Sequence, residues 1–245
     1  MSARLTFITA GRILRQLRHD KRTIALILVV PTLLLTLLRY LYENNPMMFD
    51  RVGLIMLGVF PLIIMFLLTS VAMLRERTSG TLERLLTTPI GKVDILIGYG
   101  IAFAVAAAIQ AAVVSTLAFT VLGLDTLGPP GLVSVLAIGN AVLGMALGLL
   151  VSAFANSEFQ AVQFMPAFIL PQALLCGLLQ PRGQMAGWMQ AISDVLPMSY
   201  SVEALTELGG NIEPTSTMWR DLAIIVGCII VALLLGAATL RRRTA

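Results

Sequence analysis

The sequence predicts an all-α membrane protein with six transmembrane helices, preceded by an amphipathic helix at the membrane interface. The 245-residue chain is 58% hydrophobic and only 12% charged, with a mean hydropathy of +0.90, whereas soluble domains are about 45–50% apolar and about 25% charged. Six apolar runs reach the length of about 20 residues that a transmembrane helix needs. Most of the basic residues are gathered in alternate connecting segments.

The apolar runs divide the chain into an interfacial segment, residues 1–22, and a six-span domain, residues 23–245. The third run is long enough to tilt in the bilayer. The fifth contains Pro166 and Pro171, which predict a kinked or broken helix. The predicted spans are 23–42, 52–74, 95–122, 132–155, 160–179 and 222–240.

The distribution of Lys and Arg predicts the orientation. Thirteen of the 17 basic residues lie in the N-terminal segment, in the loop between spans two and three, and in the C-terminal tail. These segments share one side of a six-span bundle, so the positive-inside rule places both termini in the cytoplasm. The other four are Arg39, Arg51, Arg182 and Arg220, and Arg39 is placed to snorkel or to pair with Glu43.

Residues 4–20 predict a basic amphipathic helix rather than a span. Its cations lie opposite an apolar stripe, an arrangement that suits the headgroup plane of an anionic membrane. The same charges also serve to set the topology, and the two interpretations are compatible. The stripe consists of Phe7, Ala10, Ile13, Leu14 and Leu17.

The interior of the predicted membrane domain excludes several function classes. No Asp, Glu or Lys falls in the middle of a span, which argues against an ion-coupled secondary transporter and favours an apolar or amphipathic substrate. No phosphate-binding loop and no cluster of catalytic side chains is evident, so we expect no catalytic residue. Cys176 and Cys228 lack the spacing of a disulfide framework or zinc site, so no metal is expected either.

Polar and small residues inside the spans predict helix packing. Asn140, Gly144, Gly148 and Ser152 recur every four residues, a stripe that allows close approach of two helices. Buried glutamines are expected to bond neighbouring helices. Residues 182–221 are too polar to span and predict short external helices.

The loop between spans two and three predicts a short amphipathic helix. Thr78 or Ser79 is suited to cap its start, and Pro89 favours its end. The helix either docks another protein or packs back on the bundle. Its apolar face would consist of Leu82, Leu85 and Leu86.

Two stretches of the chain resemble the type-2 ABC exporter permeases, a group that includes daunorubicin-resistance-like exporters of drugs, lipids and polysaccharides. Tyr99 departs from the family pattern, in which a lysine is expected. The first stretch contains Arg75, Glu76, Gly80, Thr81, Leu82, Glu83, Leu85 and Pro89. The second contains Gly177, Pro181, Trp188, Met189, Leu196, Pro197, Tyr200, Glu203, Ala204 and Leu205.

The resemblance implies a permease subunit of the bacterial inner membrane. It would work beside a second permease copy and two copies of a separate ABC ATPase, which would bind ATP and Mg. The chain itself would hold no cofactor, contact membrane lipids and bind no nucleic acid. The alternatives are a polysaccharide or glycolipid permease of the same fold, or a non-transporting membrane scaffold.

The resemblance also implies roles for particular residues. The loop helix would be a coupling helix that receives force from the ATPase, and the N-terminal helix would contact the ATPase as well. Spans one, two and five would face the route between protomers, which implies Gln163, Pro166 and Gln172 as pathway residues. The coupling residues would be Arg77, Gly80, Thr81, Leu82, Glu83, Arg84, Leu85 and Leu86.

Overall fold

The computed structural model describes residues 3–79 and 92–239, and within them the chain is helical with no strand. This confirms the all-α membrane class. The helices are α1 (Ala3–His19), α2 (Lys21–Leu41), α3 (Pro46–Thr78), α4 (Lys92–Thr120), α5 (Pro130–Val151), α6 (Glu158–Leu175), a 3-10 helix (Arg182–Gln184), α7 (Gly187–Ser193), α8 (Pro197–Gly210) and α9 (Ser216–Thr239).

Five of these helices are long and apolar enough to cross a membrane, namely α2, α3, most of α4, α5 and α9. The 18-residue α6 is not among them. It nevertheless runs from one end of the bundle to the other, since Glu158 contacts Arg75 at one end and Gln172 accepts a hydrogen bond from the Met198 amide at the other. The predicted fifth span is therefore present as a helix that runs along the bundle, and the count of six spans stays a prediction.

Helix starts follow the local sequence. The side chains of Asp20, Asn45 and Ser157 each accept a hydrogen bond from the backbone N–H three residues on, which satisfies a donor that the first turn of a helix leaves free. Hydrogen bonds from Thr23 lower the pKa of the Asp20 carboxyl. These caps separate α2, α3 and α6 from the segments that precede them.

The helix α3 is longer than its apolar run. Thr78 lies in its last turn and Ser79 caps its C-terminus, so the prediction that Thr78 starts a separate loop helix is wrong. The charged residues 75–77 belong to the last turn of α3, where their side chains contact neighbouring helices. The predicted loop helix at residues 80–86 lies outside the described residues.

The bundle is built on a close contact between α3 and α5. A Cβ at Gly144 would lie 2.1 Å from the Leu62 carbonyl oxygen, and one at Gly148 would lie 2.4 Å from that of Phe66. The Thr69 hydroxyl donates to the Met145 carbonyl, 3.1 Å away, across the same interface. The predicted small-residue stripe therefore packs within the chain, as helices approach closely where small side chains face a neighbouring backbone.

The N-terminal helix α1 packs on α4. Ala10 and Ile13 of its apolar stripe are buried in the core, and Gly98 of α4 comes so close that a Cβ there would lie 2.8 Å from the Thr9 side chain. Part of the stripe is thus covered by protein, because α4 offers it a packing surface. Phe7 stays 65% exposed.

Arg39 is held by neighbouring helices rather than by Glu43. Its Nε donates to the Leu122 carbonyl at 3.0 Å, and its guanidinium lies 5.4 Å from the centre of the Phe49 ring. The ring and the carbonyl provide the cation with partners at the end of the bundle opposite α1.

We expect Gly144→Ala to destabilise the bundle by about 2 kcal/mol or more, because the added methyl group meets a backbone carbonyl and overpacks the interface. Thermal unfolding in detergent measures the effect. Gly139→Ala is the matched control on the same helix, since nothing lies within 4 Å of a Cβ there. Equal melting temperatures for the two variants would contradict the close contact.

Candidate functional site

The last turn of α3 carries three consecutive charged residues, and the first of them contacts α6. Arg75 Nε lies 2.8 Å from Glu158 Oε1, and its Nη2 lies 2.9 Å from Oε2. These hydrogen bonds lower the pKa of the Glu158 carboxyl. The two-bond geometry fixes orientation, although both side chains are largely exposed.

The second residue, Glu76, contacts α1 and is nearly buried. Its Oε2 lies 3.8 Å from Arg12 Nη2. The same Nη2 donates to the Tyr99 hydroxyl at 2.7 Å, and Tyr99 is 1% exposed. A lysine at position 99 would bring a second cation against Arg12, so the tyrosine fits this arrangement better than the family's expected lysine.

The third residue, Arg77, contacts α5. Its Nη1 donates to the carbonyl of Ser152 at 2.8 Å, and Ser152 is the residue that ends α5. A cation at a helix C-terminus interacts favourably with the unpaired carbonyls there. Arg77 is thus placed against the bundle. The other predicted coupling residues, from Gly80 to Leu86, lie outside the described residues.

These three contacts join one helix end to three neighbours. Successive residues of a helix point about 100° apart, so Arg75, Glu76 and Arg77 reach α6, α1 and α5 respectively. A displacement of the α3 end would therefore be transmitted to all three neighbouring helices. Sequence reasoning found the charged triplet as a motif but not its partners, because a pairing between distant segments leaves no local pattern.

The predicted pathway residues do not all share one surface. Gln163 and Pro166 are exposed on α6. Gln172 is buried, donates to the Phe168 carbonyl at 3.0 Å and accepts from the Met198 amide at 3.3 Å. Its amide therefore holds α8 against α6, which is the packing role expected of buried glutamines.

The exposed face of α6 is largely apolar, with Phe159, Leu170 and Leu174 all more than half exposed, and it carries one amide side chain, that of Gln163. The Gln163 side chain is exposed on this face. Because Pro166 has no N–H, the carbonyl of Val162 lacks its usual helical hydrogen bond. Pro171 repeats the effect one turn and a half later. Polar groups in lipid are costly, so Gln163 and the free carbonyl before Pro166 favour a protein or water contact at that point of an otherwise apolar face.

The described residues offer no metal centre, since no group of three or more His, Cys, Asp or Glu side chains converges among them. Residues 4–208 match the ABC-2 type transporter family. The chain belongs to this family. The match covers α1, the α3 end and the helices that surround it, which makes the assignment of a type-2 ABC permease independent of any single motif.

Individual members of the family are also similar. A probable multidrug ABC transporter permease of Escherichia coli, YbhR, is 24% identical over 156 residues, covering 64% of this chain and 42% of its own. The linearmycin resistance permease LnrN of Bacillus subtilis is 27% identical, over 56% of this chain and 36% of its own. ABC transporter G family member 20 of Dictyostelium discoideum is 25% identical, over 58% and 19%. The aligned region spans less than half of each relative.

We expect the more deeply buried contacts at the α3 end to contribute more to the free energy of unfolding. We expect Arg12→Gln to lower the free energy of unfolding by about 2 kcal/mol, because it leaves the nearly buried Glu76 carboxylate without its cation. Arg75→Gln should cost at most about 1 kcal/mol, as its pair is exposed. Thermal unfolding in detergent compares the variants.

Arg15→Gln is the matched control, because Arg15 lies exposed on α1 and bonds within its own helix. Equal destabilisation by Arg12→Gln and Arg15→Gln would show that the Arg12–Glu76–Tyr99 contact contributes nothing.

Proposed function

We propose that this chain is the transmembrane subunit of an ABC exporter that moves an amphipathic substrate, drug-like or lipid, out of the cytoplasm or the inner leaflet. A separate ATPase chain, holding ATP and Mg, drives it. Family membership supports the permease role. The observation that carries the mechanism is the α3 end, where one turn contacts α6, α1 and α5 directly before the predicted coupling segment.

The orientation follows from charge. The bundle end that carries α1 and the α3 C-terminus also holds most of the basic residues among those that the structure describes, so it faces the cytoplasm by the positive-inside rule. An ATPase that pushes residues 80–86 then moves α3, and the contacts of Arg75, Glu76 and Arg77 pass the motion to three helices. Lipid headgroups contact the exposed cations of α1.

The route for substrate lies along α6. Gln163 presents an amide on its largely apolar exposed face, where Pro166 is also exposed, and a second copy of the permease covers this face while leaving a path between the copies. The absence of charges from mid-span favours an amphipathic cargo. The printed names of YbhR and LnrN, a probable multidrug permease and a linearmycin resistance permease, support a drug-like one.

Charge reversal in the coupling segment tests the mechanism. We expect Glu83→Arg, and separately Gly80→Trp, to reduce ATP-driven export in reconstituted vesicles by about tenfold or more, because both alter the surface that would transmit force. The measurement uses the chain co-purified with an ABC ATPase chain that binds it.

The matched control is Glu213→Arg, a charge reversal on an exposed residue at the opposite end of the bundle. Unchanged export and ATPase activity in Glu83→Arg and Gly80→Trp would remove the coupling assignment. Failure of any ATPase to co-purify would favour a non-transporting scaffold instead.

Water access tests the pathway. In a chain with Cys176 and Cys228 replaced by alanine, Gln163→Cys should react with a charged thiol reagent several-fold faster than Ile230→Cys. Ile230 is exposed on the apolar surface of α9, so lipid shields it. Labelling of position 163 that is as slow as that of position 230 would place the α6 face in lipid and exclude it from the route.

A further inference from the structure

A buried amide of α4 meets a backbone carbonyl of α2 in the interior of the bundle. Gln110 is fully buried, and its Nε2 donates to the Ile27 carbonyl at 3.0 Å. Its Oε1 has no partner among the described residues. Because a buried amide is costly unless it is hydrogen-bonded, the bond to α2 is what offsets the burial of Gln110.

Pro31 explains why the Ile27 carbonyl is free to accept this bond. In an α-helix a carbonyl accepts from the N–H four residues later, and the residue four positions after Ile27 is Pro31, inside α2. Proline has no N–H to donate. A side chain of α4 therefore replaces the backbone donor that α2 lacks, which a helix in lipid requires because no water is there to do so.

A second bond of the same kind joins the two helices at the end of the bundle opposite α1. Arg39 of α2 donates to the carbonyl of Leu122, just beyond the end of α4, where helical carbonyls are left free. In both bonds the partners are 83 positions apart in the chain. The same offset at two points about 18 Å apart along α2 shows that α2 and α4 run parallel and in register.

Apolar packing gives α2 little else to hold its position. Its buried residues are Ile27, Pro31 and Leu35, a narrow stripe with a spacing of four, and most of its other large side chains are exposed. Lipid solvates exposed apolar side chains as well as protein does, so the polar bonds matter. The Arg39 guanidinium also lies against Phe49 of α3, so the Gln110 bond is the one that joins α2 to α4 specifically.

The turns of α2 around Pro31 are built to bend. The Thr32 hydroxyl donates to the Leu28 carbonyl at 2.6 Å, and the Thr36 hydroxyl donates to the Thr32 carbonyl at 2.8 Å. Threonine side chains that bond the carbonyl four residues earlier often bend helices, as proline does. Gln110 thus contacts α2 at its most pliable part, where an external bond has the greatest effect on the path of the helix.

We propose that Gln110 is a positioning residue that fastens α2 to α4 at this pliable part, so that the first span follows the third when α4 moves. The helix α4 begins at Lys92, shortly after the predicted coupling segment. The consequence for transport rests on the proposed function: a push on that segment would reach α2 through α4 and Gln110, in addition to the route through the α3 end.

Thermal unfolding of the purified chain in detergent tests the bond itself. We expect Gln110→Met, which keeps the size of the side chain but removes the donor, to lower the melting temperature by about 4 °C. In a Pro31→Ala chain the Ile27 carbonyl regains a backbone donor, so Gln110→Met should then lower it by about 1 °C or less. Ser115→Ala is the matched control, because Ser115 is buried on the same helix and its hydroxyl has no partner among the described residues.

Distances between spin labels test whether α2 follows α4. In the Cys176→Ala, Cys228→Ala background, labels are attached to Val29→Cys and Val113→Cys, two exposed positions on α2 and α4. The distance distribution is measured on the purified chain and then in the permease–ATPase complex, without nucleotide and after trapping with ADP and vanadate. We expect one narrow distribution in all three samples, and a distribution about twice as wide in Gln110→Met. Adding Pro31→Ala to Gln110→Met should restore the melting temperature but not the narrow distribution, because the regained bond lies within α2.

Equal losses of melting temperature with Pro31 and with Pro31→Ala would overturn the pairing of Gln110 with the freed carbonyl. An unchanged distribution in Gln110→Met, or its recovery together with the melting temperature when Pro31→Ala is added, would overturn the positioning role. A shift on trapping in the chain with Gln110 would overturn the common motion of α2 and α4. Failure to form any complex with an ATPase would instead count against the proposed function alone, since the purified chain still decides the bond and its effect on α2.

Discussion

Direct backbone contact between α3 and α5 is the constraint on which the rest of the bundle depends. Gly144 and Gly148 bring the α5 backbone against the carbonyls of Leu62 and Phe66. No hydrophobic drive separates protein from lipid in a membrane, so close van der Waals contact supplies the cohesion. The other helices are arranged around this pair, with α9 and α4 on α5, and α2, α6 and α8 on α3.

The long α3 carries this central contact to both ends of the molecule. At one end Arg75, Glu76 and Arg77 bind α6, α1 and α5 through charged groups. At the other end α8 packs on α3 and carries Glu203, which pairs with Arg182. Backbone and apolar contacts join the helices in the middle of the bundle, whereas charged side chains join them at both ends.

Prediction from the sequence succeeded where a local pattern carries the information. The apolar runs located the long helices, whose ends differ from the predicted bounds by up to six residues, and the four-residue repeat of Asn140, Gly144, Gly148 and Ser152 identified a packing face. The sequence predicted the amphipathic helix α1 but did not show that α4 covers part of its apolar stripe, because such a stripe suits lipid and protein alike. The end of α3 was also missed, because helix propensity does not stop where hydrophobicity does.

By itself the sequence determined composition, span positions, charge asymmetry and the motifs that resemble the permease family, since each depends on residue type and spacing alone. Only the tertiary structure decided which side chains meet. It placed Tyr99 beside Arg12, buried Gln172 while leaving Gln163 exposed, and joined Arg182 to Glu203. These pairings depend on how distant helices cross, and a helix of given sequence can cross its neighbours at several angles and registers.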